Sequence, residues 1–438
     1  MNCSDAKKVL EANGQGHVLA FWNGLEAKAR KALLAQIASI DFKELARCRS
    51  MLPAFADTAA PAGRQKRCAA PTAPKVAELK GRARSAAIAV GEKELAAGRV
   101  AVLLVAGGQG SRLGYEGPKG AYPIGPVSDK PLFHFHARKV LAKTRNYSKT
   151  VPFYIMTSEA NYGATVACFK EHGWFGLDPK DVFFFRQGMW PGMSPDGKII
   201  MDAPGHVFMS PDGHGGLLAA LKNSGALADM KKRGIKSVFF FQVDNPLVEV
   251  ADEAFIGHHV QTKSEYSLKL CAKRDPFEKV GMPMKFGNVF KMVEYTEMTD
   301  AQCRRKGKDG RLYFLYGSPA IHVFDRAFLE REAAKPMPLH LAHKKIASVD
   351  ANGETVKPAF PNGYKFEKFI FDILPDAKKV SFLAFDQKDE FSPVKNAEGA
   401  DSPATCKADM QAKWRRQLAE RGIEIKGDAI LEVDPCSL

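Results

Sequence analysis

From Arg99 onward the chain alternates short, continuously apolar runs with stretches of helical periodicity, and this alternation limits the possible folds more than any other feature. Val100–Val105, Phe153–Met156, Val182–Phe185, Ser237–Val243, Ser267–Ala272 and Ala320–Phe324 read as strands. Pro131–Leu141, Tyr162–His172, Gly216–Leu221 and Asp252–Val260 read as the helices between them. A strand that is apolar on both faces needs cover on both sides. The pattern therefore predicts an α/β, doubly wound, mostly parallel central sheet with helices on both faces. Ligands of such sheets bind at the carboxyl ends of the strands.

The flanking segments differ. Residues 4–50 carry apolar side chains at helical spacing, including Val18, Leu19, Trp22, Leu33, Leu34, Ile37 and Ile40. Residues 53–75 hold Pro53, Pro61, Pro71 and Pro74 among alanines and read as a linker or surface crossing. Lys75–Ala97 reads as helix. After Ala377 come a strand-like run, Val380–Phe385, a polar loop and a helix around Met410–Gln417. These features suggest an N-terminal helical region with its linker (1–98), a central domain (99–376) and a small C-terminal lobe (377–438).

The chain has 438 residues and a net charge of +15, with 45% hydrophobic and 26% charged residues. That balance excludes disordered, collagen-like and coiled-coil classes. No apolar run approaches the roughly 20 residues of a membrane helix, and Met1–Lys8 is charged, so neither a membrane role nor a secretory signal is expected. Eight scattered cysteines with no CxxC suggest free thiols in a reducing cytoplasm. The basic clusters, such as Lys231-Lys232-Arg233, are short and accompany no zinc-finger or RNA-binding motif, so no nucleic-acid partner is expected, and a basic nucleic-acid-binding protein is a minor alternative that rests on charge alone.

Chemistry concentrates after the first strand, in Val105-Ala-Gly-Gly-Gln-Gly-Ser-Arg-Leu-Gly114 followed by Pro118-Lys119-Gly120. Gly107, Gly108, Gly110 and Gly114 let backbone N–H groups approach phosphate oxygens. The third glycine of a dinucleotide fingerprint is replaced by Leu113, and Lys119 lacks the flanking Gly and Ser/Thr of a Walker loop. Arg112 and Lys119 remain as a fork and a point charge suited to a triphosphate. An ordinary turn with surface basic residues is the weaker reading of so dense a cluster. Asp244 ends the run Ser237–Val243. Alone, it could start a turn or hold Mg²⁺ with substrate phosphates; a phosphate loop in the same sheet favours the metal. His134 and His136 are two apart on a predicted helix and point to different faces, so no zinc site is expected. No GxSxG occurs. A nicotinamide oxidoreductase shares the sheet pattern, but the missing glycine and Lys119 argue against it.

The glycine-rich segment resembles the signature of the uridylyltransferase family of pyrophosphorylases, particularly the UDP-N-acetylhexosamine pyrophosphorylases. The likeness continues through Gly14–Trp22, Phe185-Arg-Gln-Gly188, Pro211-Asp-Gly-His-Gly-Gly216, Val243-Asp-Asn-Pro-Leu247, Lys279-Val-Gly281, Val293-Glu-Tyr-Thr-Glu297, Asn362–Asp372 and Glu390-Phe-Ser-Pro-Val-Lys-Asn396, in order along the chain. It implies a Rossmann-like nucleotidyltransferase that uses UTP and a sugar 1-phosphate, with Mg²⁺. Gly107, Gly108, Arg112 and Lys119 would hold the triphosphate, Gln187 the uracil, and Asp244 the metal. Gly213, His214, Gly281, Glu294, Tyr295, Ser318 and Lys365 would line the remaining substrate, and Lys395 would reach the sugar phosphate. For Lys365 simple solvent exposure is the stronger reading. The resemblance favours N-acetylglucosamine 1-phosphate through Glu294 and Tyr295. That branch usually carries Asn where this chain has His214 and Ser318, and His at the first position is closer to the UDP-glucose and broad UDP-sugar branches. Glucose or galactose 1-phosphate is therefore the alternative.

Overall fold

The computed structural model describes residues 1–56 and 71–437. Two compact units share the chain: Met1–Cys68 with Gly188–Gly216 and Met337–Ile370, and Ala69–Gln187 with Leu217–Pro336 and Phe371–Leu438. Most of the expected linker, and Cys68, lie outside the described residues.

In the smaller unit, helices Cys3–Ala12, Ala27–Ser39 and Phe42–Ala56 accompany short antiparallel pairs, chief among them His340–Lys344 with Gly363–Glu367. Leu10, Leu33, Ile37, Trp190, Met193 and Phe366 share one buried cluster. The helix expected through residues 4–50 is interrupted. Gly14 takes φ +68°, a left-handed conformation that ends a helix. Buried Gln15 then bonds the carbonyl of Gly197 and the N–H of Ile199. The following segment consequently forms short 3₁₀ turns, Gly16–Leu19 and Trp22–Gly24.

The larger unit is built on seven strands: β1 (Val100–Val105), β2 (Phe153–Thr157), β3 (Val182–Arg186), β4 (Ser237–Gln242), β5 (Tyr266–Ala272), β6 (Tyr316–Asp325) and β7 (Val380–Phe385). Their spatial order is β7-β5-β6-β4-β1-β2-β3. Every neighbouring pair is parallel except those of β6, which runs antiparallel to both β4 and β5. Val102, Leu104, Phe153, Ile155, Phe239, Phe241 and Val323 are buried together. No described helix is long and apolar enough to cross a membrane.

The compact units are cut differently from the sequence division at 98/99 and 376/377. Val380–Phe385, assigned from sequence to a C-terminal lobe, is the edge strand β7 of the central sheet, parallel to β5 with Phe382 opposite Leu268. The helix expected from Lys75 begins at Gly81. Ahead of it the chain runs extended, and the Ala77 N–H bonds the Phe382 carbonyl beside β7. That pairing satisfies a backbone group which a helix would have satisfied internally.

Helix α1 (Gly81–Ala96) crosses α4 at two glycines, where α2 (Leu132–Asn146), α3 (Tyr162–Glu171) and α4 (Glu253–Gln261) follow it in the chain. A Cβ at Gly257 would stand 1.7 Å from the Ala87 carbonyl oxygen, and one at Gly91 would stand 2.0 Å from that of Glu253. In an exposed helix Gly→Ala stabilises by about 1 kcal/mol. Here the overlap with rigid backbone outweighs that gain. Gly257→Ala should destabilise the protein by about 1–3 kcal/mol through overpacking, read as a lower urea midpoint; an unchanged or raised midpoint would contradict the close crossing.

Candidate active site

β1 and β4 are neighbours, with Val105 beside Gln242, so the segments leaving their carboxyl ends emerge together. They line a cavity of about 410 Å³ that takes in Gly107, Gly108, Arg112, Lys119 and Asp244. The glycine-rich loop folds back on itself: the Lys119 N–H donates to the Gly108 carbonyl at 3.0 Å, and the Gly110 N–H to that of Gly117 at 2.9 Å. Ser111–Leu113 makes a single 3₁₀ turn, which Gly114 ends at φ +67°. This fold-back brings Lys119, distant in sequence from the first glycines, to their side.

The charges gather around Lys119. Burial pushes its ammonium below the usual lysine range; Asp244 opposes that shift, and Arg112 and Lys395 add to it. An ammonium that senses three other charges while partly dehydrated stands in a shielded, net-positive pocket, which is the setting that favours phosphate. Lys395 comes from the far end of the chain. The N–H of its neighbour Val394 bonds the Asp244 carbonyl at 2.8 Å. Gln187 is buried, and its side-chain amide lies over Gly107, 3.1 Å from where a Cβ would be. A Cβ at 107 would press on the amide, which would have to give by a few tenths of an ångström.

A second group forms at the same edge of the sheet. β6 antiparallel to β4 places its Tyr316 end at the carboxyl end of β4. The register of β6 against β5 shifts between Gly317 and Ile321, and Ser318 lies in that irregularity. The Ser318 N–H donates to the Gly281 carbonyl at 2.8 Å. The Glu294 carboxylate is 3.3 Å from a Cβ position at Gly281. Gly281, Glu294 and Ser318 therefore converge. Tyr295 follows Glu294 and packs on Met282, Met284 and Phe314.

Gly213, His214 and Lys365 belong to the smaller unit. Gly213, at φ +81°, leaves no room for a side chain against the Lys368 carbonyl, which a Cβ would meet at 2.5 Å. His214 Nδ1 accepts the Ile370 N–H at 3.1 Å, so the ring hydrogen resides on Nε2. The His214 ring stacks on Phe369. Lys365 lies on the strand Gly363–Glu367 with its ammonium 5.0 Å from the Phe208 ring centre. Asp212, in the same loop as His214, is pushed up to about 6 by burial, against the pull of Lys368 and nearby N–H groups.

Two residues escaped the sequence reading. Asn161 is buried, and its Nδ2 donates to the carbonyls of Ala106 at 2.9 Å and Gly108 at 3.2 Å. Holding those carbonyls fixes the start of the glycine loop. Asn245, the residue after Asp244, is buried and bonds the backbone of Glu390 and Ser392. An asparagine in a polar stretch carries no mark of such a role, because the role depends on carbonyls remote in sequence.

Among the described residues no three His, Cys, Asp or Glu side chains gather as a metal cage. His136 is pushed down to about 3 by burial and bonds the Val243 carbonyl. Asp244 is the carboxylate that borders the cavity. One carboxylate beside a phosphate-sized pocket fits Mg²⁺, which keeps waters and takes its other oxygens from substrate phosphates.

Residues 69–401 match the family described as UTP–glucose-1-phosphate uridylyltransferase. The chain is 39% identical to mouse UDP-N-acetylhexosamine pyrophosphorylase-like protein 1, over 98% of this chain and 88% of that protein. It is 33% identical to the Saccharomyces cerevisiae UDP-N-acetylglucosamine pyrophosphorylase, over 98% and 94%. The crystal structure of the uridine diphosphate N-acetylglucosamine pyrophosphorylase from Trypanosoma brucei superposes with a TM-score of 0.82 at 27% identity, covering 96% of this chain and 87% of that one. A glycine-rich loop, two cations and a strand-end carboxylate on a sheet of this topology, matched over three quarters of the length, place the chain in the UTP–glucose-1-phosphate uridylyltransferase family.

Proposed function

We propose that this chain is a uridylyltransferase that converts UTP and N-acetylglucosamine 1-phosphate to UDP-N-acetylglucosamine and pyrophosphate. The observation that carries the reading is the convergence of Arg112, Lys119, Lys395 and Asp244 at the mouth of the glycine-rich loop. A phosphate oxygen of the sugar phosphate attacks the α-phosphorus of UTP. The new P–O bond forms as the bond to the β-phosphate breaks, and pyrophosphate leaves. The nucleophile is already ionised at neutral pH, so no general base is needed. Rate enhancement then comes from alignment and from charge neutralisation.

In this reading the N–H groups near Gly107 and Gly108, together with Arg112 and Lys119, hold the triphosphate and the departing pyrophosphate. Gln187 presents a donor and an acceptor to uracil. Lys395 aims the sugar phosphate. Asp244 would hold Mg²⁺, which supplies charge neutralisation to the phosphate oxygens. Gly213, His214, Gly281, Glu294, Tyr295, Ser318 and Lys365 are the candidates for sugar and base contacts. The described cysteines are all free thiols, in keeping with a cytoplasmic enzyme.

The choice of sugar rests on Glu294 beside Gly281 and on the names of the relatives. His214 and Ser318 favour a second reading, glucose or galactose 1-phosphate. Ser318 is shorter than an amide and leaves space for a water. Pyrophosphate release from UTP, measured with each sugar 1-phosphate, separates the readings. We expect kcat/KM to favour N-acetylglucosamine 1-phosphate over glucose 1-phosphate by about 10–100-fold, the discrimination available to a site with a buried polar group. A preference for glucose of about tenfold or more would overturn the sugar assignment, and His214→Asn should then shift the ratio back.

A further inference from the structure

Lys395 lies on a loop, Glu390–Asn396, whose neighbours are pinned with unusual thoroughness. Asn245 is 3% exposed and Val394 fully buried. The Asn245 Nδ2 donates to the Glu390 carbonyl at 2.7 Å, and its Oδ1 accepts the Ser392 N–H at 3.1 Å. One residue earlier, the Asp244 carbonyl accepts the Val394 N–H at 2.8 Å. Two consecutive residues at the end of β4 thus hold three alternate residues of the Lys395 loop. The same loop is anchored below by Lys269, 1% exposed, which pairs with the Glu390 and Asp252 carboxylates. Beyond it, the Lys395 N–H donates to the Asp401 carbonyl at 2.7 Å.

The end of β4 is itself immobilised from α2. His136 bonds the Val243 carbonyl, and the Lys139 ammonium donates to the carbonyls of Pro246 and Val248. Asn245 therefore joins a fixed support to the backbone of a loop that is otherwise tied there by the Val394 bond and by the Glu249 N–H on the Glu390 carboxylate at 3.3 Å. An amide suits this place because it donates and accepts at once without charge.

We propose that Asn245 is a positioning residue for Lys395, its side-chain amide splicing the Glu390–Val394 backbone to the strand end that carries Asp244. The splice sets the ammonium of Lys395 in register with Lys119 and with the carboxylate of Asp244. This inference rests on the uridylyl-transfer reading above, in which Lys395 aims the sugar phosphate. Asn245 touches no reacting atom; its effect passes through Lys395.

A double-mutant cycle tests this, with kcat and KM for the sugar 1-phosphate measured at saturating UTP in the full chain. Asn245→Ala should lower kcat/KM for the sugar phosphate by about 10-fold or more, while the KM for UTP changes by less than about 2-fold. In a Lys395→Ala background the same substitution should cost less than about 2-fold, because residues that act as one unit are not additive. Additive losses, or an equal rise in the KM for UTP, would overturn the proposal. If Asn245→Ala does not fold, Asn245→Ser takes its place in the cycle; a hydroxyl cannot span both Glu390 and Ser392. Wild-type protein that turns over no sugar 1-phosphate with UTP would overturn the activity itself and this inference with it, whereas an active wild type with additive losses would overturn the Asn245 role alone.

Discussion

Lys119→Ala should lower kcat/KM by about 10²-fold or more, a loss of about 2.7 kcal/mol of transition-state stabilisation. The lysine sits where the glycine-rich loop folds back on Gly108, partly dehydrated and close to Arg112, Lys395 and Asp244. In water a single ion pair contributes ~1 kcal/mol, and in a shielded cavity several times that. A leaving pyrophosphate gains charge as its bond to the α-phosphorus breaks, so Lys119 should contribute most in the transition state and its loss should fall mainly on kcat. Lys395→Ala should cost a similar factor but fall more on the KM for the sugar phosphate. Neither lysine is in the apolar core, so the melting temperature should move little. A variant with wild-type kinetics would remove that lysine from the site.

Asp244→Ala should abolish most activity, and excess chelator should do the same to the unaltered protein. Asp244 lies at the carboxyl end of a central strand and borders the cavity beside Lys119. With no three-ligand cluster among the described residues, a Mg²⁺ held at Asp244 would take its remaining ligands from water and substrate phosphates. Metal binding should accordingly be weak without UTP and much tighter with it, as titration calorimetry would register. Asp244→Asn keeps the shape and loses the charge. It should resemble Asp244→Ala in rate, since a neutral amide oxygen is a poorer partner for a hard cation. Full turnover in excess chelator would dismiss the metal, and full turnover of Asp244→Asn would dismiss the carboxylate.

The sequence determined which segments are buried and where the glycine-rich loop follows the first strand of the sheet. Val100–Val105 and Val380–Phe385 are strands with the boundaries their apolar runs suggest, because a run of this kind can only be satisfied inside a layered core. The loop Gly107–Lys119 was legible because glycine at such density has few structural uses. Asp244 was legible because it closes the apolar run of β4. Gln187 was named only through the family resemblance, and the structure places its amide over Gly107.

The tertiary structure decided direction, membership and partnership. An apolar run encodes burial, not orientation, so nothing in Ala320–Phe324 marks β6 as the one strand that runs against its neighbours. For the same reason Val380–Phe385 could be assigned to a separate lobe, although its backbone completes the central sheet beside β5. Gly14 and Gln15 break a stretch with helical spacing, because buried bonds to Gly197 and Ile199 outweigh the periodicity of nearby side chains. Asn161 and Asn245 are the sharpest case. Their amides act through carbonyl and N–H groups that only the completed fold brings within about 3 Å, the distance at which a hydrogen bond exists at all.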